Sequence, residues 1–169
     1  YEALPIETND EGKENLFAGR CDVYTTDASG LSSTRAAAAD PGKWLVLPEI
    51  ISKEPLGPLV RHGDHQWGDV VRWSLNAMII AEELGVTSEN VDAQKSSNVP
   101  EVLRLLGVEG SYGEMLELAP DWAYQIIKQI GNYSESYEAN VGPDTPLEIA
   151  RGLNALWTQG GILYAPPFR

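Results

Sequence analysis

The chain has 169 residues, of which 43% are apolar and 22% charged, a globular composition and not a disordered one. With 25 acidic against 12 basic residues the net charge is -13, and so negative a surface excludes a nucleic-acid role, because phosphate binding needs clustered Lys and Arg. A single cysteine, Cys21, excludes an internal disulfide framework and a multi-cysteine zinc site, and no apolar run approaches the length that spans a bilayer.

In chain order, Tyr1 to Ile6 reads as a short strand, without an initiator Met, as in a processed product or a piece of something longer. Thr8 and Glu11 have capping-box spacing and open a helix that stops at Gly19. Cys21 to Thr26 reads as a buried strand, Asp27 follows it, and Ala28 to Ala39 is helix-prone up to the turn Asp40-Pro41-Gly42. Trp44 to Ile51 is a third strand candidate, partly demoted by Pro48. This order is that of an α/β fold with a mostly parallel sheet.

Glu54 to Pro58 is a rigid crossing segment, and Leu59-Val60 could form one more strand. Asp64 caps a long helix from His65 to Leu84 that ends at Gly85. Trp67, Val70, Val71, Leu75, Met78 and Ala81 mark one face, while Trp73, Ile79 and Ile80 lie off it, so something should cover its other side. Beyond Val86 the pattern is helical. Expected helices open at Asn98 with Glu101 and end at Gly107; run from Asp121 to Ile130 before Gly131; and begin at Asn132 with Glu135. Thr145-Pro146-Leu147-Glu148 has cap, proline and capping-box Glu, which predicts a last helix reaching Trp157 and stopping at Gly160-Gly161.

Few residues offer chemistry. His62 and His65 flank Asp64, as a metal pair could, or as an ordinary polar helix start would. No Gly-x-Ser-x-Gly elbow and no phosphate loop is present, and Asn132-Tyr133-Ser134 matches a glycosylation sequon. Asp27 is more informative. It follows the C-terminal end of an expected buried strand, where α/β sheets place ligands. It can cap the next helix, or hold a ligand ammonium by charge-assisted hydrogen bonds, with Thr25 and Thr26 supplying hydroxyls. Successive strand residues face opposite sides, so Thr25 and Thr26 do not both face one cleft from a regular strand.

The stretch Gly19-Arg20-Cys21-Asp22-Val23-Tyr24-Thr25-Thr26-Asp27-Ala28-Ser29-Gly30 resembles the second lobe of polar amino-acid-binding proteins of bacterial ABC transporters. Leu47 to Pro58, Arg61-His62-Gly63-Asp64 and Ala81 to Gly85 resemble the general L-amino-acid receptors within that family. So do Asn132-Tyr133, Asn140 to Pro143, Arg151 to Trp157 and Tyr164 to Pro167. The resemblance implies a type II periplasmic-binding-protein fold, present in part, with pieces of both lobes and a C-terminal helical extension. Residues 1–54 would complete lobe two, 55–85 would cross and return to lobe one, and 86–169 would form the extension. It implies a periplasmic receptor that binds an L-amino acid in a cleft between lobes, delivers it to a membrane permease, and needs no cofactor or metal. In that family the aspartate matching Asp27 binds the ligand's α-ammonium, with Thr26 beside it.

The family's arginine for the α-carboxylate has no match among the arginines of this chain. The resemblance thus begins partway into lobe two. It implies weak ligand binding by the chain alone, a complementary N-terminal half or a second copy as partner, and a bridge partner for Cys21 outside the 169 residues; a buried free thiol is the other reading of Cys21. Two further functions compete: a shortened homologue acting as a protein-interaction module, and a dehydratase on the same scaffold, for which Asp27 finds no second acid–base group.

Overall fold

Side-chain caps start four of the eight helices in the computed structural model, which describes residues 1–169. Two units make up the chain: Tyr1–Pro55 with Pro146–Ile149, and Leu56–Thr145 with Ala150–Arg169.

In the first unit, Thr8 accepts a hydrogen bond from the Glu11 amide and opens α1, Asn9–Phe17. The backbone then turns through Gly19, with the Arg20 amide donating to the Asn15 carbonyl. Gly12 lets α1 approach its neighbours, since a Cβ there would lie 2.5 Å from the Tyr24 ring and 2.6 Å from Ile6. The helix after Asp27, α2, spans Ala28–Ala36 and is followed by a short 3₁₀ turn at Pro41–Lys43.

The second unit is built on α3, His65–Glu83, capped by Asp64 through the Trp67 amide. The remaining helices are α4 (Val91–Gln94), α5 (Pro100–Leu105), α6 (Tyr112–Met115), α7 (Trp122–Ile130) and α8 (Tyr133–Asn140). Helices α5, α7 and α8 pack on α3, and α4 packs on α7. Ala77, Ile79, Ile80 and Ala81 of α3 join Val102, Leu105, Leu106, Trp122, Ala123 and Ile127 in the core. The buried stripe therefore includes the residues that lie off the expected face, while Trp67 of that face is 54% exposed. The reason is that three helices, α5, α7 and α8, pack on α3 from more than one side, and its buried residues, Ala77 to Ala81, lie in its C-terminal half.

Several expectations need correction. None of Tyr1 to Ile6, Cys21 to Thr26, Trp44 to Ile51 or Leu59-Val60 forms a strand, and β pairing is limited to an isolated parallel bridge between Leu156 and Leu163. A strand exists only when another strand takes its backbone hydrogen bonds, and these runs find none within the 169 residues. The α/β order is thus not realised as a sheet here. Asn98 does not cap α5, which starts after Val99 with no side-chain cap. The helix expected from Thr145 to Trp157 is absent. There the Thr145 hydroxyl donates to the Gly142 carbonyl, and Glu148, at φ 52, reaches Arg35 at 2.7 Å. Only 3₁₀ turns at Gly152–Asn154 and Trp157–Gln159 remain.

Candidate functional site

Asp27 sits at the entrance to α2, half-buried, with extended backbone at φ -61 and ψ 152. Its Oδ1 accepts hydrogen bonds from the Gly30 amide at 2.8 Å and from the Ser29 hydroxyl at 2.5 Å. The Ser29 hydroxyl and the Gly30 amide hold its carboxyl below the usual carboxylate range, burial opposing them weakly. Both oxygens crowd the same turn: a Cβ on Gly30 would lie 2.8 Å from Oδ2 and 3.2 Å from the Thr26 methyl. Glycine at 30 thus lets the carboxylate and Thr26 fold over the helix start.

The capping role and the charge coexist. Oδ1 is occupied by the turn, whereas Oδ2 makes no comparable bond, and the Ser29 and Asp27 amides add weaker contacts to the carboxylate. A carboxylate oxygen fixed this way, and held ionised, is a suitable acceptor for an ammonium group. Ser29 is the contributor that the sequence reading did not single out; its signal was the Asp-x-Ser spacing ahead of a helix. Thr26 is half-buried and Thr25 exposed. The arginines of this unit are engaged elsewhere: Arg20 donates to the Asn15 side chain at 3.0 Å, and Arg35 binds Glu148 and the Leu147 carbonyl.

The other candidates take different roles. His62 and His65 border an open cavity of about 360 Å³ with Arg61, Asp64, Asp69 and Arg72, where Asp64 is the α3 cap and Asp69 pairs with Arg72 at 3.3 Å. No group of three or more His, Cys, Asp or Glu side chains is arranged to hold a metal. A second open cavity, about 350 Å³, is lined by Arg35, Trp44, Pro146 and Glu148 among others, and Asp27 lines neither. Asn132 of the sequon is 4% exposed; its amide donates to the Val86 carbonyl at 2.9 Å and accepts from the Glu135 amide at 3.0 Å. Its nitrogen is therefore closed to a glycan in the folded chain. Cys21 is a half-buried free thiol. No helix is long and apolar enough to cross a membrane.

No family model matches the chain. Curated proteins do. The glutamate/glutamine/aspartate/asparagine-binding protein of Rhodobacter capsulatus is 53% identical over all of this chain and 50% of its own length. A putative amino-acid ABC transporter-binding protein of Escherichia coli K12 is 52% identical over the same shares. Among solved structures, a periplasmic binding protein of an ABC transporter from Brucella ovis, determined with glutathione bound, superimposes with a TM-score of 0.90 at 50% identity, over 97% of this chain and 52% of that one. The chain spans about half the length of the curated relatives it matches. The names of these relatives are those of binding proteins, two of them of ABC transporters. From end to end, this chain is a homologue of half of the amino-acid-binding proteins of ABC transporters, as its sequence motifs imply.

Proposed function

We propose that this chain is part of the periplasmic receptor of an amino-acid ABC importer. The receptor binds the zwitterion of an L-amino acid and presents it to the membrane permease without a cofactor. Residues 1–54 belong to the second lobe of a type II binding protein, 55–85 to its crossing segment and first lobe, and 86–169 to a helical extension. Asp27 takes the α-ammonium through Oδ2, and Thr26 lies beside it.

The observation that carries this reading is the divided use of the Asp27 carboxylate. The Ser29 hydroxyl and the Gly30 amide both bond Oδ1, leaving Oδ2 without a hydrogen bond of that quality, in a stretch that carries the family's motif. A receptor that closes on its ligand must contact both ends of it. Arg20 and Arg35 are committed to Asn15 and Glu148, and no arginine of this chain matches the family's carboxylate-binding position, so on this reading the carboxylate end is held by a group outside these 169 residues. The chain alone consequently binds amino acids weakly.

Calorimetric titration tests both parts. The 169-residue chain should show no sub-millimolar affinity for L-glutamate or L-glutamine; tight binding would refute the divided site. Joined in one polypeptide to the half that its relatives possess in addition, it should bind one of them tightly. There Asp27→Asn, which keeps a good helix cap, should weaken binding on the order of 30-fold by removing a charge-assisted hydrogen bond. An unchanged affinity would remove Asp27 from the site.

A further inference from the structure

The segment Pro146–Ile149 belongs to the first unit, while Thr145 before it and Ala150 after it belong to the second. A short excursion of the chain thus joins Tyr1–Pro55 and returns. Local preference does not ask for this. Thr145-Pro146-Leu147-Glu148 carries the signals of a helix start, yet no helix forms there. Glu148 instead takes φ 52, where a residue with a Cβ is strained. A contact from distant sequence overrules the segment's own tendency.

That contact comes from Arg35. Its Nη2 donates to Glu148 Oε2 at 2.7 Å and to the Leu147 carbonyl at 3.3 Å. The guanidinium is 21% exposed and the Glu148 side chain 61%. An open cavity beside the pair is lined by Trp44 and Pro146 as well, so on that side polar bonds and not close packing fasten the segment. Arg35 stands in the last turn of α2, and Asp27 caps its first. The two are about 12 Å apart along the helix axis. Buried Thr34 links the two ends: its hydroxyl donates to the Gly30 carbonyl at 2.8 Å, and the Gly30 amide donates to Asp27. A short helix gripped at both ends has its orientation set by both grips.

We propose that Pro146–Ile149 is a strap and Arg35 a positioning residue: by gripping Glu148 and Leu147, Arg35 holds α2 so that the Asp27 carboxylate stays turned onto Ser29 and Gly30. What Asp27 binds rests on the receptor reading above, whereas the strap is tested without a ligand, so the two fail separately.

NMR titration of the Asp27 carboxyl in the 169-residue chain, assigned with Asp27→Asn, reads one end of α2 while the other end is altered. In the parent chain Asp27 should titrate below the usual carboxylate range, as its bonds from Ser29 and Gly30 require. Arg35→Gln and Glu148→Gln should each raise that midpoint toward its ordinary value, and each should speed hydrogen exchange in the last turn of α2 about 10-fold. Charge alone would move the midpoint in opposite directions, since one variant removes a cation and the other an anion. The double variant should match either single one, because both remove the same ion pair. Amides of α3 should keep their protection in all three variants, which separates loss of the strap from general unfolding. Midpoints that shift oppositely or stay unchanged, additive effects in the double variant, ordinary titration of Asp27 in the parent chain, or lost protection in α3 would each overturn the proposal.

Discussion

Arg151 and Glu82 form the most secluded ion pair of the protein. The Arg151 Nη2 lies 3.0 Å from both Glu82 oxygens, and the side chains are only 15% and 8% exposed. The guanidinium lies 5.3 Å from the ring centroids of Tyr133 and Tyr137, and its Nε donates to the Asn154 carbonyl at 3.1 Å. One side chain thus ties the C-terminal segment to α3 and α8.

Removing that arginine strands a carboxylate. Arg151→Met should destabilise the second unit by about 3–5 kcal/mol, because Glu82 is left buried without a partner. Arg151→Lys should recover only part of it, since an ammonium lacks the flat fork. The double variant Glu82→Met, Arg151→Met should be more stable than the single one. Urea denaturation followed by far-ultraviolet circular dichroism measures all three. A single variant within about 0.5 kcal/mol of the parent would mean that the pair is solvated.

Phe168 is the second tether of the tail. It is 8% exposed, with ring centroids 5.3 Å from Trp73, 5.5 Å from Tyr112 and 6.0 Å from Trp122, and its carbonyl accepts from Arg104 Nε at 3.1 Å. Phe168→Ala should cost about 3–5 kcal/mol. The loss should appear together with a red shift of tryptophan emission, because Trp73 and Trp122 border the vacated space. A stability loss without that shift would place the tail's anchor elsewhere.

Gly107 and Gly85 separate two demands on a helix-ending glycine. Both have positive φ, 69 and 67. A Cβ at Gly85 meets nothing within 4 Å, whereas one at Gly107 would lie 1.9 Å from the Pro120 carbonyl oxygen. Gly85→Ala should therefore cost about 1–2 kcal/mol, from backbone conformation alone. Gly107→Ala should cost more, by about 1–3 kcal/mol, because backbone must move. Thermal melts of equal costs would show that the Pro120 loop yields freely.

Glu135 gives the second unit a pH dependence. Burial pushes its carboxyl up, but hydrogen bonds from Ser88 and from the Asn132 and Ser88 amides outweigh this and hold it below its ordinary 4.5. A carboxyl depressed on folding contributes stability in full above its unfolded value, and the contribution fades as pH falls through the folded value. Stability against urea should thus be level above about pH 5 and fall below about pH 4.5, with part of the fall absent in Glu135→Gln. An identical acid limb in that variant would assign the fall to other carboxylates.

Much of the second unit was legible because its signals are local. Asp64 and Asn132 cap as their spacing predicts, and Gly85, Gly107 and Gly131 close helices at positive φ. Asp27 was legible as a helix cap from its position alone, and the ligand role proposed for it comes from the motif around it. The state of its two oxygens was not legible, since that depends on where Ser29 and Gly30 turn.

What the sequence by itself determined is whatever a few neighbouring residues settle: caps, glycine stops, the long α3, and the acidic charge. Tertiary structure alone decided whether Trp44 to Ile51 would be a strand, which face of α3 is buried, and that Thr145-Pro146-Leu147-Glu148 opens no helix. The physical reason is that such outcomes belong to pairs of distant groups. A strand needs another backbone, a buried face needs a covering helix, and Glu148 follows Arg35, which lies 113 residues away.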